Sequence, residues 1–289
     1  MTHWVIDQHM LRHSTSEQPG AIVKALKRLG LSYSILEYIP FHGIEQNETF
    51  ENLKSIQNNE AVVCYGTIEF LQQMQKHFNF IPGPYYNKER FEISTYIHKY
   101  NDINIFLNSD YILLPFGKFK KTPFSFFENI YGKDIFIKPN TGFKSFAGKT
   151  INRENYSLEV KTIDQFSSAS DETLCVISGA KNILKEYRFI ISDNKVITGS
   201  QYMENHNYKP NFRIDPEALS FAQNITDNEW QPDLVFTCDI GQQKNGEYKV
   251  VEFNSFSASG LYFCDIEKII AEVSISAEKE YNGEISIIS

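Results

Sequence analysis

The residues best suited to chemistry lie in segment 234–254, LVFTCDIGQQKNGEYKVVEFN, whose Asn-Gly pair predicts a two-residue hairpin turn. That turn places Asp239 directly opposite Glu252, with Asn254 on the same face as Glu252. Facing carboxylates repel each other and raise one pKa unless a cation lies between them. Two carboxylates and an amide oxygen are hard ligands that suit Mg²⁺. The alternative is a hairpin whose charged face is simply in water.

A second predicted hairpin, segment 135–148 with the sequence IFIKPNTGFKSFAG, carries paired cations. A three-residue loop at 140–142 would set Lys138 opposite Lys144. Two facing ammonium groups favour a polyanion such as phosphate, and the small residues from Ser145 onward could cover it with backbone amides. Solvent-exposed lysines are the alternative interpretation of this hairpin.

The two hairpins are more specific together than apart. Lysines can bind phosphate oxygens while carboxylates hold a metal ion that bridges phosphates. The combination indicates a site for ATP with Mg²⁺.

A phosphate-binding P-loop is a weaker interpretation of the overlapping segment 142–150, GFKSFAGKT. Its glycines are separated by five residues, where a P-loop has four. A P-loop also leads into a helix, and the residues that follow show no apolar helical stripe.

The elements that would position these residues begin with a parallel α/β region. Apolar runs predict strands at 4–6, 34–36 and 61–65, and apolar spacing predicts helices at 19–29 and 68–78. This alternation is typical of a parallel sheet.

The pattern changes after residue 82. We expect a helix over 88–100, hairpins around 193–194 and at the two sites above, and a last helix over 261–273. The change predicts domains at 1–110 and 111–289, the first a small parallel α/β domain and the second an α+β domain.

Composition excludes several classes of protein. The chain has 289 residues, 42% hydrophobic and 22% charged, which is typical of a globular protein of about two domains. Its net charge of -8 argues against an extended nucleic-acid-binding surface. No apolar run approaches the length of a membrane span and no signal peptide is recognisable, so we expect a cytoplasmic protein without a membrane partner. Four widely spaced cysteines without a CxxC pair predict reduced core residues.

The motifs resemble the ATP-grasp superfamily, and most closely a branch of stand-alone ATP-grasp domains from bacteria and phages. The resemblance covers roughly residues 113–265 and rests on IFIKPNTGFKSFAG, LKEYRFII with a later SQY, and DIG followed by VVEFNSFSASGLY. The expected fold class is therefore α/β plus α+β, an ATP-grasp fold preceded by a small parallel α/β domain.

This resemblance implies an ADP-forming ligase that activates a carboxylate as an acylphosphate and joins it to an amine or similar nucleophile. The implied substrates are small-molecule or peptide carboxylates and amines. The implied ATP contacts are Lys138, Lys144, Ser145, Val176, Ile177, Ser178 and Glu186, and the implied Mg²⁺ ligands are Asp239, Glu252 and Asn254. An ATP-dependent kinase and a non-catalytic nucleotide-binding module remain alternatives, and oligomeric state is not indicated.

Arg188 is a further catalytic candidate, for orienting phosphate or a substrate carboxylate. It shares a strand face with Glu186, so a structural ion pair between them is the alternative. Many ATP-grasp ligases have an arginine two residues before the first metal aspartate, where this chain has Thr237. Arg213, in the preceding loop, is one cation that could replace it.

Overall fold

The computed structural model describes residues 1–12, 20–39, 48–56, 59–142 and 145–288. The chain divides into two compact units. The first comprises Met1–Asn87, Leu184–Ile240 and Phe253–Ser289, and the second comprises Lys88–Ile183 and Gly241–Glu252. The units are not consecutive because segments from late in the chain join the first one. The division into domains 1–110 and 111–289 stays a prediction.

A parallel sheet opens the first unit, as the sequence predicts. Its strand order is β2-β1-β3-β4, and β1 pairs in parallel with both β2 and β3. The strands are β1 (Thr2–Asp7), β2 (Ser32–Leu36), β3 (Ala61–Tyr65) and β4 (Pro82–Gly83). Strands β1 and β3 are buried along their whole length, which explains their continuous apolar runs.

The helices of this unit have local signals that the sequence displays. The helix over Ala21–Leu29 ends at Gly30, whose φ of 68° provides the left-handed cap. The helix over Ile68–His77 begins after Thr67, whose side chain accepts the Phe70 amide. The helices are α1 (Gln8–Arg12), α2 (Ala21–Leu29), α3 (Glu48–Ile56), α4 (Ile68–His77), α9 (Pro216–Thr226) and α10 (Ile266–Tyr281).

A second sheet has the strand order β11-β10-β9-β12-β13. Its strands are β9 (Ile183–Ser192), β10 (Lys195–Glu204), β11 (Asn207–Asn211), β12 (Val235–Gln243) and β13 (Tyr248–Ser255). The predicted hairpin at 193–194 is confirmed, because Asp193 and Asn194 both have positive φ and Ser192 pairs with Lys195.

The last helix begins later than predicted. Asp265 caps α10 by accepting the Lys268 amide, and the expected start at residue 261 is wrong because Leu261 and Cys264 form a separate turn. Helix α10 packs on the parallel sheet, where Trp4 Nε1 donates to Ser274 Oγ at 3.0 Å. The core of this unit therefore joins the first and last segments of the chain.

The second unit is built around an antiparallel sheet of order β5-β8-β6-β7. An aromatic and aliphatic core, including Phe116, Phe119, Phe127 and Ile177, fills the space against its helices. The elements are β5 (Ile112–Pro115), β6 (Asp134–Pro139), β7 (Lys149–Asn152), β8 (Leu174–Gly179), α5 (Ile93–Tyr96), α6 (Phe116–Lys121), α7 (Phe124–Tyr131) and α8 (Tyr156–Phe166).

The predicted helix over 88–100 is wrong. Only α5 and a 3₁₀ turn at Ile97–Lys99 form there. Asn140 fixes the start of α5, since its carbonyl accepts the Ile93 amide and its side chain accepts the Ser94 amide. The helical segment ends at Tyr100, whose backbone is extended with a φ of -101° and a ψ of 141°.

The predicted three-residue loop at 140–142 is also wrong. Ile137 pairs with Lys149, so the connection between β6 and β7 spans residues 140–148. Asn140 is held by α5 and by Leu174, whose carbonyl accepts its amide at 2.8 Å. The expected pairing of Lys138 with Lys144 therefore does not form.

The turn between β12 and β13 differs by one residue from the prediction. The Gly246 amide donates to the Gln243 carbonyl, and the Gln243 amide donates to the Glu247 carbonyl at 2.8 Å. Gly246 has a φ of 87°, so the loop has three residues with glycine in the left-handed position. The two-residue turn was wrong, and the opposition of Asp239 to Glu252 that rested on it stays a prediction.

Among the described residues, no helix is both long and apolar enough to cross a membrane. All four cysteines are buried and unbridged, as the sequence predicts.

Candidate functional site

A buried ion pair occupies the second sheet of the first unit. Arg188 on β9 meets Asp239 on β12, with Nε at 2.8 Å from Oδ1 and Nη2 at 2.6 Å from Oδ2. The side chains are only 5% and 2% exposed. Two parallel hydrogen bonds between a guanidinium and a carboxylate give strong, orientation-specific pairing. Arg188 thus pairs with Asp239, and the alternative based on Glu186 assigned it the wrong partner.

The rest of the Arg188 side chain is held by the segment that follows β13. Its Nη1 donates to the Gly260 carbonyl at 2.9 Å, and its guanidinium carbon lies 4.8 Å from the centre of the Tyr262 ring. The Tyr202 ring stacks on Tyr262 at 4.7 Å with planes 8° apart. The Tyr202 hydroxyl donates to Glu186 Oε2 at 2.6 Å. Glu186 and Arg188 are therefore linked through two stacked rings.

Burial and charge fix the protonation states here. Burial disfavours the Arg188 cation, but the charge and hydrogen bonds of Asp239 outweigh it and raise its pKa well above the usual value. Burial, followed by the negative charges of Asp239 and Glu186, raises the pKa of Tyr202 well above its usual value. Arg188 stays charged and Tyr202 stays a hydroxyl donor at neutral pH.

The neighbours of Asp239 include one further predicted metal ligand. Asn254 Nδ2 lies 3.5 Å from Asp239 Oδ2. Thr237 is buried, and its hydroxyl lies 3.2 Å from Ser259 Oγ and 3.4 Å from the Asn254 carbonyl. Arg188, and not the exposed Arg213, brings a cation to Asp239.

In the second unit, Lys138 and Glu252 form a looser ion pair. Lys138 Nζ donates to Glu252 Oε2 at 2.7 Å, and the side chains are 11% and 23% exposed. Both predicted metal carboxylates thus already have a cationic partner, each within its own unit.

The connection between β6 and β7 contains the remaining phosphate candidates. Lys144 lies outside the described residues. The Ser145 hydroxyl is buried and has no hydrogen-bond partner among the residues that the structure describes. Gly148 lies against Phe136, where a side chain would place a Cβ 2.4 Å from the ring. An unsatisfied buried hydroxyl costs free energy, and a phosphate oxygen could satisfy it.

The predicted adenine segment lies inside β8. Val176 pairs with Leu113 on one side and Lys138 on the other, and Ile177 pairs with Ile112 and Ile137. The backbone of a central strand is engaged by its neighbours, so these residues could meet a nucleotide through side chains. Their assignment with Ser178 to ATP stays a prediction.

The P-loop interpretation fails on geometry. Lys149 and Thr150 begin strand β7, where a P-loop would begin a helix. Lys149 Nζ lies 2.5 Å from Glu159 Oε2 on α8, which gives it a structural partner.

Sequence reasoning missed the roles of Gly260 and Tyr262 around Arg188. The SQY and SGLY motifs contained both stacked tyrosines, but nothing in their spacing indicates that the rings meet. Tyr262 has a φ of 46°, rare for a non-glycine residue, which turns its ring toward Arg188.

The fold and these residues define an ATP-grasp protein. Residues 120–271, which are more than half of the chain, match the model of an ATP-grasp domain family, the second family of its clade. The chain therefore belongs to this ATP-grasp family. No curated protein sequence matches it.

Solved structures with the same fold extend over nearly the whole chain. D-cycloserine synthetase DcsG matches with a TM-score of 0.63 and 10% identity, covering 96% of this chain and all of that one. D-alanine–D-alanine ligase from Bacillus anthracis complexed with ATP matches with a TM-score of 0.59 and 13% identity, covering 99% and 100%. ATP-grasp ligase PsnB, complexed with a minimal precursor, matches with a TM-score of 0.54 and 10% identity, covering 95% and 98%. These matches extend the ATP-grasp fold to the residues before the family domain.

Proposed function

We propose that the chain is an ATP- and Mg²⁺-dependent ligase that joins a carboxylate to an amine and releases ADP and phosphate. The observation that carries this proposal is membership of the ATP-grasp family together with a buried, charged Arg188 on its second sheet. Support also comes from the similar solved structures, which are named as ligases and synthetases. Cytoplasmic location and small-molecule or peptide substrates belong to the same proposal.

The chain's own residues would divide the work on ATP. Lys138, Lys144 and Ser145 would bind phosphate oxygens, and the orphaned Ser145 hydroxyl fits that chemistry. Val176, Ile177, Ser178 and Glu186 would contact the nucleoside. A bound Mg²⁺ would neutralise phosphate charge and polarise the transferred group.

Asp239, Glu252 and Asn254 fit Mg²⁺ in ligand type, because all three offer oxygen atoms. Arg188 holds both oxygens of Asp239, and Lys138 holds one oxygen of Glu252. Asp239 can therefore become a ligand only when at least one bond to Arg188 opens. The released N–H of Arg188 would then be available to an anionic oxygen of the substrate.

The reaction proceeds in two displacements. A substrate carboxylate oxygen attacks the γ-phosphorus of ATP, the bond to the β-phosphate oxygen breaks, and ADP leaves. The amine nitrogen then attacks the acyl carbon, loses a proton, and displaces phosphate, which retains one oxygen of the carboxylate. Arg188 would stabilise the negative charge on the transferred group.

Mass spectrometry of products tests this proposal. The protein is incubated with ATP, Mg²⁺ and pooled carboxylates and amines, and we expect ADP, phosphate and a new amide that needs both pools. A phosphorylated carboxylate without an amide would indicate a kinase. ATP binding without ADP under every mixture would indicate a nucleotide-binding module.

Substitution of the predicted ligands sharpens the same experiment. Asp239→Asn and Glu252→Gln should each abolish Mg²⁺-dependent product formation. Glu247→Gln is the matched control, since Glu247 lies in the exposed turn between the same two strands. Full activity in both ligand variants would remove the metal assignment.

A further inference from the structure

A cavity of about 600 Å³ lies within the first unit, apart from the residues assigned above. Its walls come from one face of α2, the edge of β10 at Thr198 and Gly199, the loop before α9 and the start of α10. Its volume falls within the range of about 300–1,000 Å³ that is usual for small-molecule sites.

One segment of the chain borders both this cavity and the Arg188 pair. Gly260 and Tyr262 contact the Arg188 guanidinium, and the next residues, Phe263 and Cys264, line the cavity. Cys264 Sγ lies 3.8 Å from the Arg188 carbonyl. The cavity therefore lies beside the position where the transferred group would be stabilised.

The charges of the lining leave one cation without a counter-ion. Arg28 pairs with Glu267 at 3.2 Å, and Asp265 caps α10 by accepting the Lys268 amide at 3.0 Å. The Lys24 ammonium, which projects from α2, has no ion pair with any residue in the described part of the chain. A bound anion would supply the missing negative charge.

An aromatic pair forms the apolar wall. The Phe212 and Phe263 rings meet edge to face, with centres 4.6 Å apart, and Phe212 is 67% exposed. Ile214 and Ile266 extend the same wall. Exposed aromatic area of this kind is covered favourably by an apolar ligand group.

The floor is kept open by Gly199. A Cβ at this position would lie 2.5 Å from the Phe189 ring, so the backbone packs directly on the core. The absence of a side chain leaves space between α2 and α10.

We propose that this cavity binds the non-reacting end of the ligase substrate, and that this end is a free carboxylate next to an aromatic or large apolar side chain. A peptide C-terminus such as -Phe-COO⁻ has this chemistry. The assignment as a substrate site rests on the proposed function, whereas the ligand class rests on Lys24 and the Phe212–Phe263 pair alone.

Binding of a defined probe tests the inference without turnover. The dipeptide Ala-Phe and its C-terminal amide are titrated into the full-length protein by calorimetry, with ATP titrated separately. We expect Ala-Phe to bind and the amide to bind about tenfold more weakly, since a charge-assisted contact is lost. Equal binding of acid and amide, or no binding of either at millimolar concentration, would overturn the inference.

Matched variants locate the site. Lys24→Gln should weaken Ala-Phe binding about tenfold, and Phe212→Ala several-fold, with ATP affinity unchanged. Lys27→Gln is the control, because Lys27 lies on the same helix, is exposed and does not line the cavity. Equal effects of Lys24→Gln and Lys27→Gln would contradict the site.

Failure of this inference and failure of the proposed function give different results. Probe binding that depends on Lys24, in a protein that never forms ADP, would leave the cavity as a ligand site and remove the ligase. Amide formation from substrates whose affinity ignores Lys24 would keep the ligase and remove the cavity.

Discussion

The two units solve the same electrostatic problem differently. In the first, Arg188 grips both oxygens of Asp239 in near-complete burial. In the second, Lys138 makes a single contact with Glu252, and both side chains are partly exposed. The planar guanidinium fork suits a fixed bidentate pair, whereas an ammonium is a flexible point charge.

The difference indicates separate roles for the two cations. Arg188 is part of the folded architecture, because removing it strands a buried carboxylate. Lys138 can exchange its partner at low cost, which suits a residue that must grip and release phosphate. The predictions that follow test this contrast between an architectural pair and an exchangeable one.

The largest effect is expected from breaking the buried pair. Arg188→Met leaves Asp239 buried without a cation and should lower the free energy of unfolding by about 3–5 kcal/mol. Urea unfolding measures it, and Arg213→Met, at an exposed arginine, is the control. A loss below about 1 kcal/mol would make the Arg188 pair as exchangeable as that of Lys138.

A buried carboxyl without a cation sharpens the comparison. Glu280 on α10 lies beside Tyr85, and its Oε2 has no hydrogen-bond partner among the described residues. Burial raises the pKa of Glu280 to about 7 from 4.5. Its contribution to stability is therefore fully present below pH 4.5 and is lost as pH rises through 7, by about 3 kcal/mol.

Urea unfolding across pH 4.5 to 8 checks this expectation. Glu280→Gln should remove the loss of stability, whereas Glu284→Gln, at an exposed position near the C-terminal end, should keep it. The same pH profile in wild type and Glu280→Gln would show that Glu280 is not the titrating group.

Breaking the exchangeable pair should cost little stability and much binding. Lys138→Met should change the free energy of unfolding by about 1 kcal/mol or less, and should weaken ATP binding about tenfold. Calorimetry with ATP measures the second effect, and Lys133, which is exposed just before the same strand, supplies the control Lys133→Met. Unchanged ATP affinity would make Lys138 an ordinary structural lysine.

The smallest effect is expected at the former P-loop candidates. Lys149→Ala with Thr150→Ala removes a contact to Glu159 and should retain most ATP-dependent activity. Lys144→Ala should not retain it. The opposite ranking in a nucleotide-turnover assay would return the site to the strand β7 residues.

Local signals predicted the first part of the fold well. The helix ending at Gly30 and the strand over Ala61–Tyr65 were readable because caps and apolar runs act within a few residues. The turns at Asn140 and Asn245 were not, because glycine and asparagine fit several loop lengths. Asn140 is fixed by Leu174, which is distant in sequence.

The residue types of the candidate site were predictable, but their partners were not. The sequence indicated Arg188 and Asp239 separately as functional, and the order of strands β9 and β12 then decided that they meet. Strand order is a long-range property that hydrophobic periodicity does not contain. Tyr262 was missed for the same reason, since its ring reaches Arg188 only through a left-handed backbone.

Transfer of oxygen from substrate to phosphate tests the central claim most directly. The protein is incubated in unlabelled water with ATP, Mg²⁺, an amine pool and a pool of amino acids and peptides whose carboxylates carry ¹⁸O. Mass spectrometry of the released phosphate should find one ¹⁸O in each phosphate that accompanies amide formation, because the acylphosphate bridge oxygen comes from the carboxylate. Phosphate without ¹⁸O would show that water, and not a carboxylate, attacks ATP, and would contradict the ligase.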